Sequence, residues 1–570
     1  MSAAPDRVIL GRVATLDGAT GWGWAGGIAI RDGRVVAAGD EATIAALAGP
    51  GTTTWRLGPD RVVLPGIVDA HLHLTGAALA AQQLDLSGIT GRVATLRAIG
   101  EAHERLRAAG DRGEGWLLGH GWSVDRMAGW PTAADLEAIA PGRPIALWAH
   151  DHHGRWVSPR ALRAAGIGPD TPDPTGGRIG RGPGGAPDGR LVETAASLVD
   201  RAIPEAGPGE VARALEAYAH QLARLGVVGV HDPGALVPDP ALRGGPILYR
   251  RLAETGALPL RVVACVRGEQ VPAAIAAGFR TGGAVHAEAG AAATPAARRV
   301  AERYRDGWLK LFSDGALGSR SAALLAPYEA DDPAGAPPAG PRGLLLQDPE
   351  RLAATARRAA DAGIAVQIHA IGDAAVRLVL DVLGDLPRVG AAHHRVEHAQ
   401  LVDPADIARF AALGVVASVQ PCHLLSDAVA ARGAWGERSA NAFPLAALAA
   451  AGAQLAFGTD APVEPPDPWP GIAAAVTRAG GAWPANQAAF HPEQAIPLVG
   501  AIRAATLAPP RSLGVTDEGH LAPSARADLI VVAAAAIDEP PRPGGALEAC
   551  RPFATLIDGE PAWQDPAFDP

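Results

Sequence analysis

Eight short apolar runs, each closing on a polar residue or a turn, recur along the chain: Val62–Val68, Gly226–His231, Leu260–Val266, Trp308–Phe312, Ile364–His369, His394–His398, Val415–Gln420 and Leu455–Asp460. Uninterrupted apolar runs of this length are the pattern of strands buried on both faces. Alanine-rich segments with helical patterning separate most of them, Pro349–Ala362 and Pro404–Leu413 among them. Strands alternating with helices make βα units on a parallel sheet, and eight such units close into a barrel. The spacing keeps to this scheme. His369 to His398 is 29 residues, one unit, and His398 to Asp460 is 62, two units with Val415–Gln420 between them. Lys310 to His369 is 59 residues, one unit plus a proline- and glycine-rich loop at Asp331–Arg342.

A chain of 570 residues with 48% hydrophobic content is long enough for a large core and more than one domain. Its formal net charge of -10, with no cluster of basic residues, argues against nucleic acid and anionic lipid as partners and leaves small molecules. Cys265, Cys422 and Cys550 are far apart and lack metal or redox spacing, so they read as reduced thiols of a cytoplasmic protein. Neither a leader pattern over Met1–Leu16 nor a membrane-length apolar stretch is present in the sequence. Self-association as a homo-oligomer stays open.

In a parallel barrel the C-terminal ends of the strands form the rim where active sites are built. The first run leads into Asp69-Ala70-His71-Leu72-His73, where residues two apart in extended backbone point to the same side. The fourth run carries Lys310, the fifth ends at His369, the sixth at His398 and the eighth at Asp460. Four histidines, a carboxylate and a lysine therefore converge on one rim. Nitrogen and oxygen donors of this kind suit Zn2+, with Mn2+, Fe2+ or nickel as alternatives, in a catalytic rather than a structural site.

Lys310 is the single lysine among fifty Lys plus Arg residues. Arginine keeps its charge at any ordinary pH, whereas a lysine amine held among apolar strand neighbours is pushed towards its neutral form. A neutral amine can add carbon dioxide, and the CO2-derived carbamate on Lys310 would offer two oxygens to bridge two cations, with His71, His73 and Asp460 on one side and His369 and His398 on the other. Arginine cannot form that adduct.

Pro65-Gly66-Ile67-Val68-Asp69-Ala70-His71-Leu72-His73, the Lys310 strand, Ile368-His369-Ala370-Ile371-Gly372-Asp373, Arg395-Val396-Glu397-His398-Ala399-Gln400 and Gly458-Thr459-Asp460-Ala461-Pro462 together resemble the amidohydrolase superfamily. Gly119-His120-Gly121-Trp122, Asp151-His152-His153 and Gly315-Ala316-Leu317-Gly318-Ser319-Arg320 are similar to its family 3 branch, which includes N-substituted formamide deformylases. The resemblance spans nearly the whole chain. It implies a (β/α)8 TIM barrel over 65–514 that binds one or two divalent cations, and a small β-sandwich formed by 1–64 with 515–570. A hairpin around Asp32-Gly33 and the return strand Ala527–Val532 fit that sandwich, and Pro523-Ser524 departs from the family's Pro-Gly only at a turn. The long stretch between His73 and Gly226 is read as a cap insertion over 80–210 that closes on the substrate.

The reaction implied is hydrolysis of an amide or formamide-type C–N bond by metal-activated water, with Asp460 as general base and then acid. Trp122, His153, Arg320 and Gln420 are candidate substrate-binding residues. A cyclic amide, imide or lactone hydrolase would use the same ligands. A deaminase of the superfamily would pair its metal with a His-Ala-Gly-Glu strand end, where this chain has His369-Ala370-Ile371-Gly372-Asp373. A non-catalytic assembly protein on this fold would have lost ligands that this chain keeps.

Overall fold

Eight parallel strands, Ile67–Asp69, Val227–Asp232, Arg261–Arg267, Tyr304–Phe312, Val366–Ala370, Arg395–His398, Val416–Val419 and Leu455–Phe457, pair in chain order in the computed structural model. The structure describes residues 4–234, 245–284, 294–332, 339–484 and 486–570, so much of the loop read at Asp331–Arg342 lies outside the described residues. A hydrogen bond of 2.8 Å from the Ala70 N–H to the Phe457 carbonyl brings the first strand against the last, and the sheet wraps into the TIM-type barrel. The helices between strands start and stop where local chemistry directs. Pro349–Asp361 begins after Asp348, whose carboxylate accepts from the Glu350 and Arg351 N–H groups at 3.0 and 3.2 Å. Pro404–Leu413 ends at Gly414, whose φ of 66° is the left-handed cap that glycine adopts without strain.

The first apolar run needs a correction. Val62–Val68 is not one barrel strand: Arg61–Pro65 joins a second sheet, between Arg7–Ala14 and Leu529–Ala533, and only Ile67–Asp69 enters the barrel. Gly66 is the point of transfer. A Cβ there would lie 2.4 and 2.6 Å from the two Val228 methyls, closer than carbons can approach. Gly66→Ala is therefore expected to cost about 1–3 kcal/mol of overpacking strain, read as a lowered Tm. Gly66→Ala combined with Val228→Ala should be less destabilised than the two single changes added together; strict additivity would show that the contact is not the cause.

The second sheet runs in the order Glu560–Gln564, Ala554–Ile557, Leu529–Ala533, Arg61–Pro65, Arg7–Ala14, Trp24–Arg31, Arg34–Gly39, with Thr53–Arg56 also on Arg7–Ala14. Its hairpin turns at Asp32 and Gly33, both at positive φ, 52° and 77°, the conformation a tight two-residue turn demands. Arg261, at the start of the third barrel strand, ties the barrel to this sheet through buried contacts to Asp528 and Asp558.

A third sheet lies in the long connection after the first barrel strand: Gly177–Arg181, Pro187–Glu193, Gly154–Val157, Ile145–Ala149, Leu117–Trp122 and Leu84–Asp85, in that order. Trp122 and Trp156 meet edge to face within its core, ring centroids 6.2 Å apart.

Candidate functional site

The strand ends bring His71, His73, Lys310, His369, His398 and Asp460 together, and every one of these side chains is buried. What each histidine offers follows from what holds its other nitrogen. His71 Nδ1 touches the Glu397 carboxylate, which Arg395 Nε grips at 2.8 Å. His73 Nδ1 lies 2.9 Å from the Gly234 carbonyl, and His398 Nδ1 lies 2.8 Å from Gln420 Oε1. A carboxylate or carbonyl oxygen only accepts, so in all three rings the proton sits on Nδ1 and the lone pair on Nε2. His369 is set the other way: its Nε2 donates to the Gly315 carbonyl at 3.1 Å, leaving the lone pair on Nδ1.

Asp460 Oδ1 stands 3.4 Å from His71 Nε2 and 3.3 Å from His73 Nε2. Both His71 Nε2 and Asp460 Oδ1 are buried without a hydrogen-bond partner. Two imidazole lone pairs and a carboxylate oxygen this close repel one another, and a cation among them removes the conflict. Asp460 Oδ2 faces a further pair, His398 Nδ1 at 3.9 Å and His423 Nε2 at 3.4 Å. Burial opposes the Asp460 charge, but His423, whose own pKa rises to about 10 and whose Nε2 faces Oδ2, helps hold its carboxyl well below the usual carboxylate range. His398 and Asp460 both adopt positive φ, 72° and 60°, a conformation costing about 1–3 kcal/mol for a non-glycine residue and concentrated at functional sites.

Lys310 Nζ is buried with no hydrogen-bond partner and lies 4.7 Å from the centre of the Phe312 ring. Burial lowers its pKa to about 8, against the attraction of Glu397 and Asp460.

Of the four candidate substrate residues, Gln420 keeps a buried, unpartnered Nε2 beside His398. His153 has its ring 5.2 Å from that of His369 and its Nδ1 2.8 Å from Glu193; burial opposes its charge, yet Glu193 outweighs it and lifts the pKa to about 9. Trp122 donates its Nε1–H to the Leu147 carbonyl at 2.9 Å and lines a cavity that also touches Trp130, His150 and Val429. Arg320 is engaged within the protein: it binds Asp332 at 2.6 and 3.1 Å and Asp125 at 3.2 Å, joining the loop after the fourth barrel strand to the third-sheet region.

Three functional groups were not identified from sequence. Glu397 sits inside a motif that marks His398, but its place under His71 depends on a contact 326 residues apart. His423 lies on the helix His423–Trp435 after the seventh strand, and strand-end reasoning passes over it. Glu464 joins His150 Nε2 at 3.1 Å and His423 Nδ1 at 3.5 Å. The pairing of His398 and His423 around Asp460 is the signal that exposes the second group.

Residues 60–561, which include all six rim residues, match the model of the amidohydrolase family. The chain belongs to the amidohydrolase family. This amidohydrolase is a hydrolase acting on carbon–nitrogen bonds. It is 32% identical to the putative amidohydrolase YtcJ of Bacillus subtilis (strain 168), over 78% of each chain. It is 27% identical to the N-substituted formamide deformylase of Arthrobacter pascens, over 93% of this chain and 94% of that one. Among solved structures, an uncharacterized metal-dependent hydrolase from Pyrococcus horikoshii OT3 superposes with a TM-score of 0.69 at 26% identity, covering 92% of this amidohydrolase and 97% of the other chain. No helix among the described residues of the amidohydrolase is long and apolar enough to cross a membrane.

Proposed function

We propose that the chain is a metal-dependent hydrolase that cleaves an amide or formamide-type bond of a small molecule, in the cytoplasm. The observation that carries this reading is that His71 Nε2 and His73 Nε2 both lie within 3.4 Å of Asp460 Oδ1, acceptor against acceptor. His71, His73, His369, His398, Asp460 and a carboxylated Lys310 would hold one or two cations, Zn2+ foremost, with Mn2+ or Fe2+ as alternatives. A bound cation supplies Lewis acidity, polarising the substrate carbonyl and acidifying water. The protein's own groups do the rest. Glu397 and the Gly234 carbonyl fix the two histidine tautomers, and Asp460, held as an anion, accepts the proton of the attacking water and returns it to the leaving amine.

At Lys310, the neutral amine and carbon dioxide form an N–C bond with loss of one proton, giving a carbamate with two oxygens. Its buried, unpartnered Nζ supports this step. Gln420 and His153 would hold substrate polar groups, Trp122 would wall the cavity, and Arg320 would act by fixing the loop it crosses. The region over 80–210 is assigned as a cap, and 1–64 with 515–570 as a separate sandwich domain.

Protein purified without chelator should carry at least one equivalent of divalent metal by elemental analysis, and His71→Ala with His73→Ala should remove most of it. Metal that survives both changes would place the site elsewhere. A panel of N-formyl, N-acyl, cyclic imide and lactone substrates, assayed with zinc-, manganese- and iron-loaded protein, tests the bond cleaved; turnover confined to lactones would overturn the C–N assignment.

A further inference from the structure

Arg267 closes the third barrel strand, and its backbone pairs in register with Lys310 on the fourth. Its guanidinium lies over the Phe312 ring, 4.3 Å from the centroid, and that ring lies 5.4 Å from the His369 ring. On the other side, a Cβ at Gly234, whose carbonyl fixes His73, would sit 3.1 Å from Arg267 Cδ. The charge is thus lodged at the barrel mouth between elements that position three of the rim residues. Among the described residues, no carboxylate forms an ion pair with it. Nη1 is buried with no hydrogen-bond partner. Asp232 is occupied by Tyr249 Oη at 2.5 Å and the Gly234 N–H at 2.9 Å, and Glu269, two residues along, is exposed to solvent. Arg395, the fully buried arginine beside the site, is by contrast engaged with Glu397, the Ala70 carbonyl and Ser418.

A half-buried guanidinium whose innermost nitrogen, Nη1, has no hydrogen-bond partner is costly unless a partner arrives with the ligand. The planar fork matches one carboxylate, and one guanidinium balances a single negative charge better than the double charge of a phosphate. We infer that Arg267 reads a carboxylate on the substrate, carried on the side of the scissile bond that faces the third and fourth barrel strands. Arg267 is then a specificity-determining residue, and the substrate class is a carboxylate-bearing amide. This rests on the hydrolytic reading above.

The test uses N-formyl-phenylalanine and N-formyl-phenethylamine, which differ by the carboxylate, with the metal-loaded full chain, Arg267→Met and Arg267→Lys. The wild type is expected to favour the carboxylate-bearing substrate in kcat/KM. Arg267→Met should lower that preference about 10- to 100-fold, the size of a lost charge-assisted bond, and Arg267→Lys should restore part of it. A wild type without the preference, or a preference that Arg267→Met leaves intact, overturns the inference. So does loss of metal in Arg267→Met, which would assign the residue to the metal site instead. If the wild type cleaves neither compound, the hydrolytic reading fails for acyl amines, and calorimetry decides the inference separately: N-acetyl-phenylalanine must bind more tightly than its carboxamide, with the difference lost in Arg267→Met. Equal binding refutes it.

Discussion

Asp460→Asn should lower kcat by on the order of 10²- to 10⁴-fold while the fold persists, because an amide cannot take the proton of the attacking water. The change keeps the shape of a side chain whose Oδ1 contacts His71 and His73 and whose Oδ2 faces His398 and His423. Metal content must be measured beside the rate, since the same carboxylate is a proposed ligand. Loss of metal in step with activity would make Asp460 chiefly a ligand. Full metal with little activity isolates the proton transfer, and full metal with near-normal turnover would end its role as base.

Lys310→Arg and Lys310→Ala should both lose activity and bound metal, the alanine variant by at least about 100-fold in metal affinity. Arginine preserves charge and length, so a lysine serving only as a buried cation would tolerate it; a carbamate would not. A short carboxylic acid in the medium should restore part of the activity of Lys310→Ala by supplying two oxygens in the vacated space, and it should do nothing for Lys310→Arg, where the space is filled. A fully active Lys310→Arg, or a crystal with full metal and density ending at a plain amine, would rule out the bridge.

The barrel was legible because parallel strands buried on both faces leave apolar runs that end on the rim, and those ends spelled out His369, His398 and Asp460 directly. Gly66 was the exception: the run from Val62 to Val68 is uniformly apolar because both of the sheets it serves bury it, and nothing in the side chains marks the change of partner. Long-range electrostatics was less readable. Arg320 ends a motif after the fourth strand and looked free to meet a substrate, yet Asp332 and Asp125, the second of them 195 residues away, engage it. Glu397 and His423 depended equally on contacts between distant strands and helices. An arginine among forty-eight others is unremarkable in sequence, and what singles out Arg267 is its buried Nη1, which has no hydrogen-bond partner.

The strand Arg61–Pro65 is held on one side by Arg7–Ala14 and on the other by Leu529–Ala533. During synthesis its first neighbour is present at once and its second emerges only after the whole barrel has been made. At about 5–20 residues per second, that interval is roughly 20–90 s, during which one row of backbone donors and acceptors beside the root of the strand that leads to His71 and His73 stands open. The nascent chain must carry a nearly finished barrel with an unsealed seam, so chaperone dependence and aggregation during expression should respond to changes in Leu529–Ala533 far more than their distance from the active rim suggests.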